Sequence, residues 1–273
     1  MARRWLVTGC SSGLGHALAT ALAEAGEYVL ATARKPDTVA ELAARHPGHV
    51  TTAALDVRDP DQCEAAVATA VDRLGGLDVL VNNAGNGIFG TVEEVGDEEL
   101  RDQLETLVVG PWRLARLALP VMRAQGGGHI VNVSSLAGRM AFPGLAAYVT
   151  GKYALEGMSQ ALAAEAGPLG IRVTVLEPGG FATGYGEALA ETAVRIPAYE
   201  AVTAPMLQGM RGMRSDPALS RPEDFARHLL RIVDAGGTPL RVPLGEDAYG
   251  YLAAVEDAAR DELAAARALI LGT

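Results

Sequence analysis

Apolar residues fall along this chain in short dense runs, separated by longer stretches where they recur every three or four positions. The runs are "WLVTG" (5–9), "YVLATA" (28–33), "HVTTAALDV" (49–57), "LDVLVNNAG" (77–85), "GHIVNVSS" (128–135), "IRVTVLEPG" (171–179) and "PLRVPLG" (239–245). They are rich in Val and Ile, several are apolar on both faces, and the first six each stop at small or polar residues. Burial on both faces is what a parallel sheet between two helix layers requires. The stretches between, such as "LGHALATALAEAG" and "EAAVATAVDRLG", have helical spacing, and Asp59 followed by Pro60 supplies an N-cap and first-turn start for one of them. The alternation predicts an α/β fold: a doubly wound parallel sheet with helices on both faces. No linker, repeat or low-complexity segment interrupts it, so one domain is expected over 1–273. Residues 180–222 break the rhythm with scattered Gly, Pro, Met and Tyr, and a segment beyond a strand's C-terminal end is where a substrate lid would sit.

Composition narrows the classes. A chain of 273 residues with 49% hydrophobic content buries enough surface to need no disulfide or metal staple. Its formal charge of −10 argues against a nucleic-acid surface, which would show a basic patch or stripe. Cys10 and Cys63 are too few for a disulfide framework, so a reducing cytoplasm is the expected compartment. The N-terminus lacks the apolar run and cleavage site of a signal peptide. No stretch approaches the roughly 18 uninterrupted apolar residues of a membrane span. The histidines (16, 46, 49, 129, 228) share no metal-ligand spacing with the cysteines, so no metal is expected.

The first strand ends in "TGCSSGLG" (8–15) and a helix follows at once. Gly9, Gly13 and Gly15 let the backbone turn sharply and approach a diphosphate, whose charge then meets the helix N-terminus. Ser11, Ser12 and Leu14 are candidate contacts with them. Alone, such a cluster also reads as a plain tight turn.

Together "TGCSSGLG", "NNAG" at 82–85, Ser135, Tyr148-x-x-x-Lys152 and "EPGGFAT" at 177–183 resemble the short-chain dehydrogenase/reductase family. These motifs run in the family's order and spacing from residue 4 to about 184, and "RVPLGEDA" (241–248) also resembles bacterial members. The resemblance implies a Rossmann-type sheet, a nicotinamide cofactor, alcohol–carbonyl redox chemistry and a homo-oligomer. It also implies that Asn83, Ala84 and Gly85 contact the cofactor, with Asn82 and Asn83 partly structural. Asp56, with Val57 beside it, resembles the family's adenine-contacting aspartate, though as a bare feature it could be a strand-end cap. Pro178 and Gly179 would begin the turn that shapes the nicotinamide pocket, and Thr183 would meet the carboxamide or diphosphate.

The end of the second strand selects the nicotinamide. An acidic residue there would hold the ribose hydroxyls of NAD and repel a 2′-phosphate. This chain has Arg34 and Lys35 instead. Arginine's planar fork suits a phosphate, so NADP(H) is expected with Arg34 as the main contact. The competing reading of Arg34 is a solvated loop charge.

Only two lysines, Lys35 and Lys152, occur in this arginine-rich chain. Lys152 lies four residues after Tyr148, on the same face of a helix. A nearby cation favours a phenolate and lowers the phenol's pKa from its usual value near 10, which would tune Tyr148 for acid/base work. Without the other motifs, a surface tyrosine and a solvated lysine would explain the pair. Ser135, thirteen residues before Tyr148, matches the family's catalytic serine. Ser135 and Tyr148 would hold the substrate oxygen while hydride moves to or from carbon. One position departs from the family: where N-x-x-G is usual, completing a water relay through a helix irregularity, "LETLVVG" (104–110) places Leu107. Either Leu107 packs the helix while Thr106 or a backbone carbonyl serves the water, or the chain has drifted toward a non-redox dehydratase, cyclase or isomerase. A nucleotide-binding sensor without turnover is a third reading, which the intact trio disfavours.

In the expected lid, Phe181, Tyr185, Ile196, Tyr199, Met206, Met210 and Met213 suggest an apolar small-molecule pocket. A steroid, polyketide or fatty-chain alcohol or ketone would suit it. The same residues could instead serve core or subunit contacts.

Overall fold

The computed structural model describes residues 2–272. In chain order the elements are β1 (Arg4–Val7), α1 (Gly13–Glu24), β2 (Tyr28–Ala33), α2 (Ala40–Arg45), β3 (Val50–Ala54), α3 (Pro60–Leu74), β4 (Val79–Asn82), β5 (Ile88–Phe89) and α4 (Asp97–Leu104). They continue with α5 (Gly110–Ala124), β6 (Gly128–Val133), α6 (Ala146–Ala166), β7 (Ile171–Pro178), β8 (Ala190–Glu191), α7 (Glu200–Gly212), α8 (Pro222–Asp234), β9 (Arg241–Leu244) and α9 (Glu246–Leu271). Seven strands form one sheet in the order β3-β2-β1-β4-β6-β7-β9, and every pairing in it is parallel. All seven apolar runs are strands of this sheet. The two-residue strands β5 and β8, which pair in parallel with each other, are too short to carry a sequence pattern.

Alternation along each strand feeds two separate cores. Trp5, Val7, Val79, Val81, Val131 and Val133 pack with α1 and α8 on one face. Leu6, Leu80 and Ile130 pack with α3, α5 and α6 on the other. Adjacent side chains of a strand point to opposite faces, so dense apolar runs are what a sheet covered on both sides needs. Asp59 caps α3, accepting from the Asp61 and Gln62 backbone N–H groups at 2.9 and 3.2 Å. No helix among the described residues is long and apolar enough to cross a membrane.

One buried polar group makes the fold acid-sensitive. His129 of β6 is 1% exposed; its Nε2 lies 2.8 Å from Thr174 Oγ1 and its Nδ1 has no partner. Burial, aided by the Arg172 and Arg3 charges, pulls its pKa from 6.5 down to about 3. The unfolded chain therefore takes up a proton below pH 6.5 that the native state refuses, and stability falls as pH drops from 6.5 toward 3. By pH 4 the loss amounts to about 3 kcal/mol. Urea unfolding of His129→Gln at pH 7 and pH 4 is expected to show most of that slope gone, whatever the variant's offset at pH 7.

Candidate active site

The C-terminal ends of β1, β4, β6 and β7 carry the loops where the motifs meet. After β1 the chain turns through Gly9 at φ +73°, a conformation open to glycine at little cost. Gly15, in the first turn of α1, is needed for closeness: a Cβ there would stand 2.4 Å from Gly9 O and 2.4 Å from Asn83 Nδ2. Asn83 closes this contact by donating to the carbonyls of Thr8 at 2.9 Å and Gly9 at 3.3 Å. Thr8 Oγ1 in turn accepts from the Asn83 and Ala84 backbone N–H groups, each at 2.9 Å. Asn83 and Ala84 thus brace the glycine loop from β4. Ser11 and Ser12 are exposed on it, Leu14 packs on the core below, and Gly13 sits beside Thr183, 3.8 Å from where its Cβ would be. The first turn of α1 carries no acidic side chain and Ser12 makes no side-chain cap. Its N–H groups and positive dipole end are therefore available to an anion. Cys10 in the loop is a packed thiol, its pKa pushed up to about 12 by burial.

The adenine side is less simple than its motif. Arg34 is exposed just past β2. Asp56 is held by Arg58, bidentate with Nη2–Oδ2 at 2.7 Å and Nε–Oδ1 at 3.0 Å. That hydrogen bonding, more than the Arg34 charge, holds its carboxyl below the usual range. Arg58 carries no motif signal and was not anticipated. Val57 is buried in the core under α5, its carbonyl accepting from Arg113 at 2.9 Å.

At the other end, Ser135, Tyr148 and Lys152 converge. Ser135 accepts from the Ala137 N–H at 3.1 Å, which leaves its own proton free to donate. Tyr148 is 8% exposed, and Lys152 Nζ stands 5.5 Å from its ring centroid while donating to Val133 O at 2.7 Å. The i, i+4 geometry of α6 produces this meeting. The sign of the phenol's shift differs from expectation. Burial raises the Tyr148 pKa, and the Ser135 and Tyr185 hydroxyls, not Lys152, partly lower it. Lys152 itself is drawn down to about 8 by burial. Removing water from around two charged forms outweighs what a cation over the ring face supplies. The trio at rest is a neutral phenol flanked by a hydroxyl and an ammonium that releases its proton easily.

Leu107 is 1% exposed and its Cδ2 would stand 3.0 Å from a Cβ on Gly85, beside Lys152. The helix irregularity is still there: Glu105–Val109 form a π-helical turn. Thr106 does not serve it inward, since its hydroxyl donates to Asp102 O at 3.1 Å. Beyond β7, Gly180 N donates to Asp247 Oδ2 at 2.7 Å, so α9 braces the Pro178–Gly179 turn. That contact was hidden in the "RVPLGEDA" stretch.

Residues 180–222 divide. Tyr185, Met206 and Met210, with the unanticipated Leu189 and Leu207, pack on the cluster of Phe89, Leu107, Leu145 and Tyr148. The Tyr185 and Tyr148 rings are 5.6 Å apart, and the Tyr185 hydroxyl is buried with its pKa pushed well up. Phe181 instead belongs to the core, edge-on to Phe225 at 6.1 Å. Ile196 and Tyr199 are tethers: the Ile196 N–H donates to Glu94 and the Tyr199 hydroxyl to Glu93, each at 2.7 Å. Met213 lies in a short 3-10 turn after α7. Among the described residues no group of histidine, cysteine and carboxylate side chains could hold a metal ion.

Known proteins are similar to this chain. A family model described as short chain dehydrogenase matches residues 3–193. The chain is 36% identical over 252 residues to "Oxidoreductase BOA17" of Botryotinia fuckeliana, covering 92% of each. It is 38% identical over 180 residues to the 3-ketodihydrosphingosine reductase of Bacteroides thetaiotaomicron, covering 66% of this chain and 64% of that one. A solved short-chain dehydrogenase from Streptomyces avermitilis superposes with a TM-score of 0.90 at 40% identity, over 100% of this chain and 98% of the other. The family model alone spans the glycine loop, the Asn83 brace and the Ser135–Tyr148–Lys152 cluster, and on that ground the chain belongs to the short-chain dehydrogenase family of oxidoreductases.

Proposed function

We propose that this chain interconverts a secondary alcohol and a ketone on an apolar small molecule, using NADP(H). The observation that carries the reading is the buried Tyr148 side chain with the Lys152 ammonium over its ring and Ser135 beside it at the end of β6. A bound nicotinamide supplies or accepts the hydride. Ser135 donates a hydrogen bond to the substrate oxygen and orients it. Tyr148, kept protonated by burial, gives that oxygen its proton in reduction and takes one back in oxidation. Lys152 steadies the phenolate left after proton release. The glycine loop with Ser11, Ser12, Gly13 and Leu14, the open end of α1 and Thr183 would hold the dinucleotide's phosphates. Gly9, Gly15, Asn83 and Ala84 keep that cradle in shape. Asp56 and Val57 would border the adenosine half, and Gly85, beside Lys152, with Pro178 and Gly179 the nicotinamide.

Arg34 supports NADP(H), because it is exposed at the end of β2 and forms no ion pair among the described residues. A charged hydrogen bond of this kind is worth about 1.5–3 kcal/mol, or roughly 10- to 100-fold in affinity. Arg34→Asp is expected to weaken NADPH binding by about that factor and to improve NADH binding, as read by fluorescence titration. Equal NADPH affinity in variant and parent would sink the assignment.

Tyr185, Leu189, Met206, Leu207 and Met210 would form the substrate wall, an apolar surface with one phenol. The likeness to a relative named for reducing 3-ketodihydrosphingosine points the same way. Cys10 and Cys63, free and buried, suit a reducing compartment such as the cytoplasm. Exposed Trp112 on α5 and Tyr153 on α6 suit a homo-oligomer contact.

The decisive test supplies NADPH deuterated at the transferable position together with a small-molecule extract from a host strain lacking the gene. Deuterium in a new product, found by mass spectrometry, is the expected result and identifies the substrate at once. An isomeric or dehydrated product formed while NADPH stays intact would overturn the redox reading and favour the lyase or isomerase alternative that Leu107 raised.

A further inference from the structure

We propose that Glu156, clamped by Arg241 and backed by Glu177, is the positioning residue that keeps the Lys152 ammonium charged beside Tyr148. Lys152 is 5% exposed and its hydrogen-bond partner is the neutral carbonyl of Val133 at 2.7 Å. Toward the π-turn it has the hydrocarbon of Leu107, where the family has an amide. Among the described residues no carboxylate is within ion-pair distance of it. A buried ammonium in such surroundings loses its proton unless a countercharge lies near.

Glu156 stands one turn further along the same face of α6 and is 3% exposed. Its Oε2 accepts from Arg241 Nε at 3.0 Å, while its Oε1 is buried with no partner. That oxygen and the equally unpartnered Ser134 Oγ converge on Gly138, where a Cβ would stand 3.1 and 2.5 Å from them. Ser134 directly follows Val133, whose carbonyl holds Lys152, so the orphaned carboxylate oxygen faces the strand end that anchors the ammonium. Glu156 is the one charge that raises the Lys152 pKa against burial.

Several elements near Glu156 contribute charged groups. From β7 comes Glu177, fully buried, whose pKa burial pushes up. The turn after β6 brings Arg139, bonded to Glu177 at 3.0 Å, and β9 brings Arg241, 3.6 Å from Glu177. From α9, the exposed Glu256 reaches Arg139 at 3.3 Å. With Lys152 charged, three cations face three carboxylates and the cluster is neutral. Glu256 is exposed, so Arg139 and Arg241 balance the two buried carboxylates, and what remains to act on Lys152 is the unpartnered, buried Glu156 Oε1 one helical turn away. That orphaned carboxylate oxygen favours the charged lysine with a full countercharge, which neither Leu107 nor the Val133 carbonyl supplies.

The chain's lysine content makes the test direct. Protein labelled with ¹³C at lysine Cε has two signals, from exposed Lys35 and buried Lys152. In an NMR titration the wild-type Lys152 signal is expected to change with a midpoint near pH 8. Glu156→Gln should lower that midpoint by about one pH unit or more, with Lys35 unmoved, and Glu156→Asp should restore it. Arg241→Gln removes a cation facing Glu156 and should shift the midpoint the opposite way, upward. An unmoved or raised midpoint in Glu156→Gln overturns the proposal. If that variant does not fold, an unmoved or lowered midpoint in Arg241→Gln does so, since Arg241 is a partly exposed position at the sheet edge. The readout is the charge on Lys152 and needs neither substrate nor nicotinamide, so its failure is distinct from failure of the deuterium experiment.

Discussion

Tyr148→Phe is expected to lower turnover of the substrate found by deuterium labelling by about 10²- to 10⁴-fold, the usual contribution of a positioned acid or base. The substitution removes one oxygen and keeps the ring. That ring packs with Phe89, Leu107 and Leu145, so the melting temperature should stay close to the parent's. Removing the hydroxyl takes one polar atom out of a nearly dry site whose neighbouring Tyr185 hydroxyl is itself buried without a partner, so little is lost from the fold. NADPH affinity should fall far less than turnover, because the glycine loop and Arg34 are untouched. Single-turnover rates with fluorescence-measured binding separate the effects. A variant turning over within tenfold of the parent would show that the proton comes from elsewhere, and Tyr185, the neighbouring buried phenol, would be the next residue to replace.

The second large effect belongs to Gly15. A methyl group at this position would meet Gly9 O and Asn83 Nδ2 at 2.4 Å, distances real Cβ atoms do not adopt. Neither neighbour can yield alone. Gly9 O is backbone in a tight turn, and Asn83 is fixed by its bonds to Thr8 and Gly9. Gly15→Ala must therefore displace the loop from α1 or break the Asn83 brace. Overpacking of this kind costs about 1–3 kcal/mol, and dinucleotide affinity should drop by at least about tenfold, because the displaced groups are the phosphate donors. Chemical denaturation and NADPH titration measure the two losses. Wild-type affinity in Gly15→Ala would mean that the phosphates lie elsewhere. Gly13, where an added Cβ has 3.8 Å to Thr183, offers a contrast in which space is not the obstacle.

Much of this protein was determined by its sequence alone. The strands were legible because the inner ones are buried on both faces, so their composition reports burial directly, with Leu6 and Val7 serving opposite cores, while the edge strands β3 and β9 are half-buried. Tyr148 and Lys152 were legible because a helix brings i and i+4 together whatever surrounds it. The glycine loop was legible because its spacing reflects local backbone geometry. Tertiary structure alone decided the rest, since it depends on groups far apart in the chain. Asp247 braces the Gly179–Gly180 turn from a helix 67 residues away. Phe181, expected in a lid, lies in the core, where α8 presents Phe225 to it. The π-turn persists although Leu107 stands where an amide was expected. The direction of the Tyr148 shift was beyond the sequence for the same reason: a motif names the charged neighbour, but only packing determines how much water is lost, and at this site desolvation outweighs the neighbour's charge.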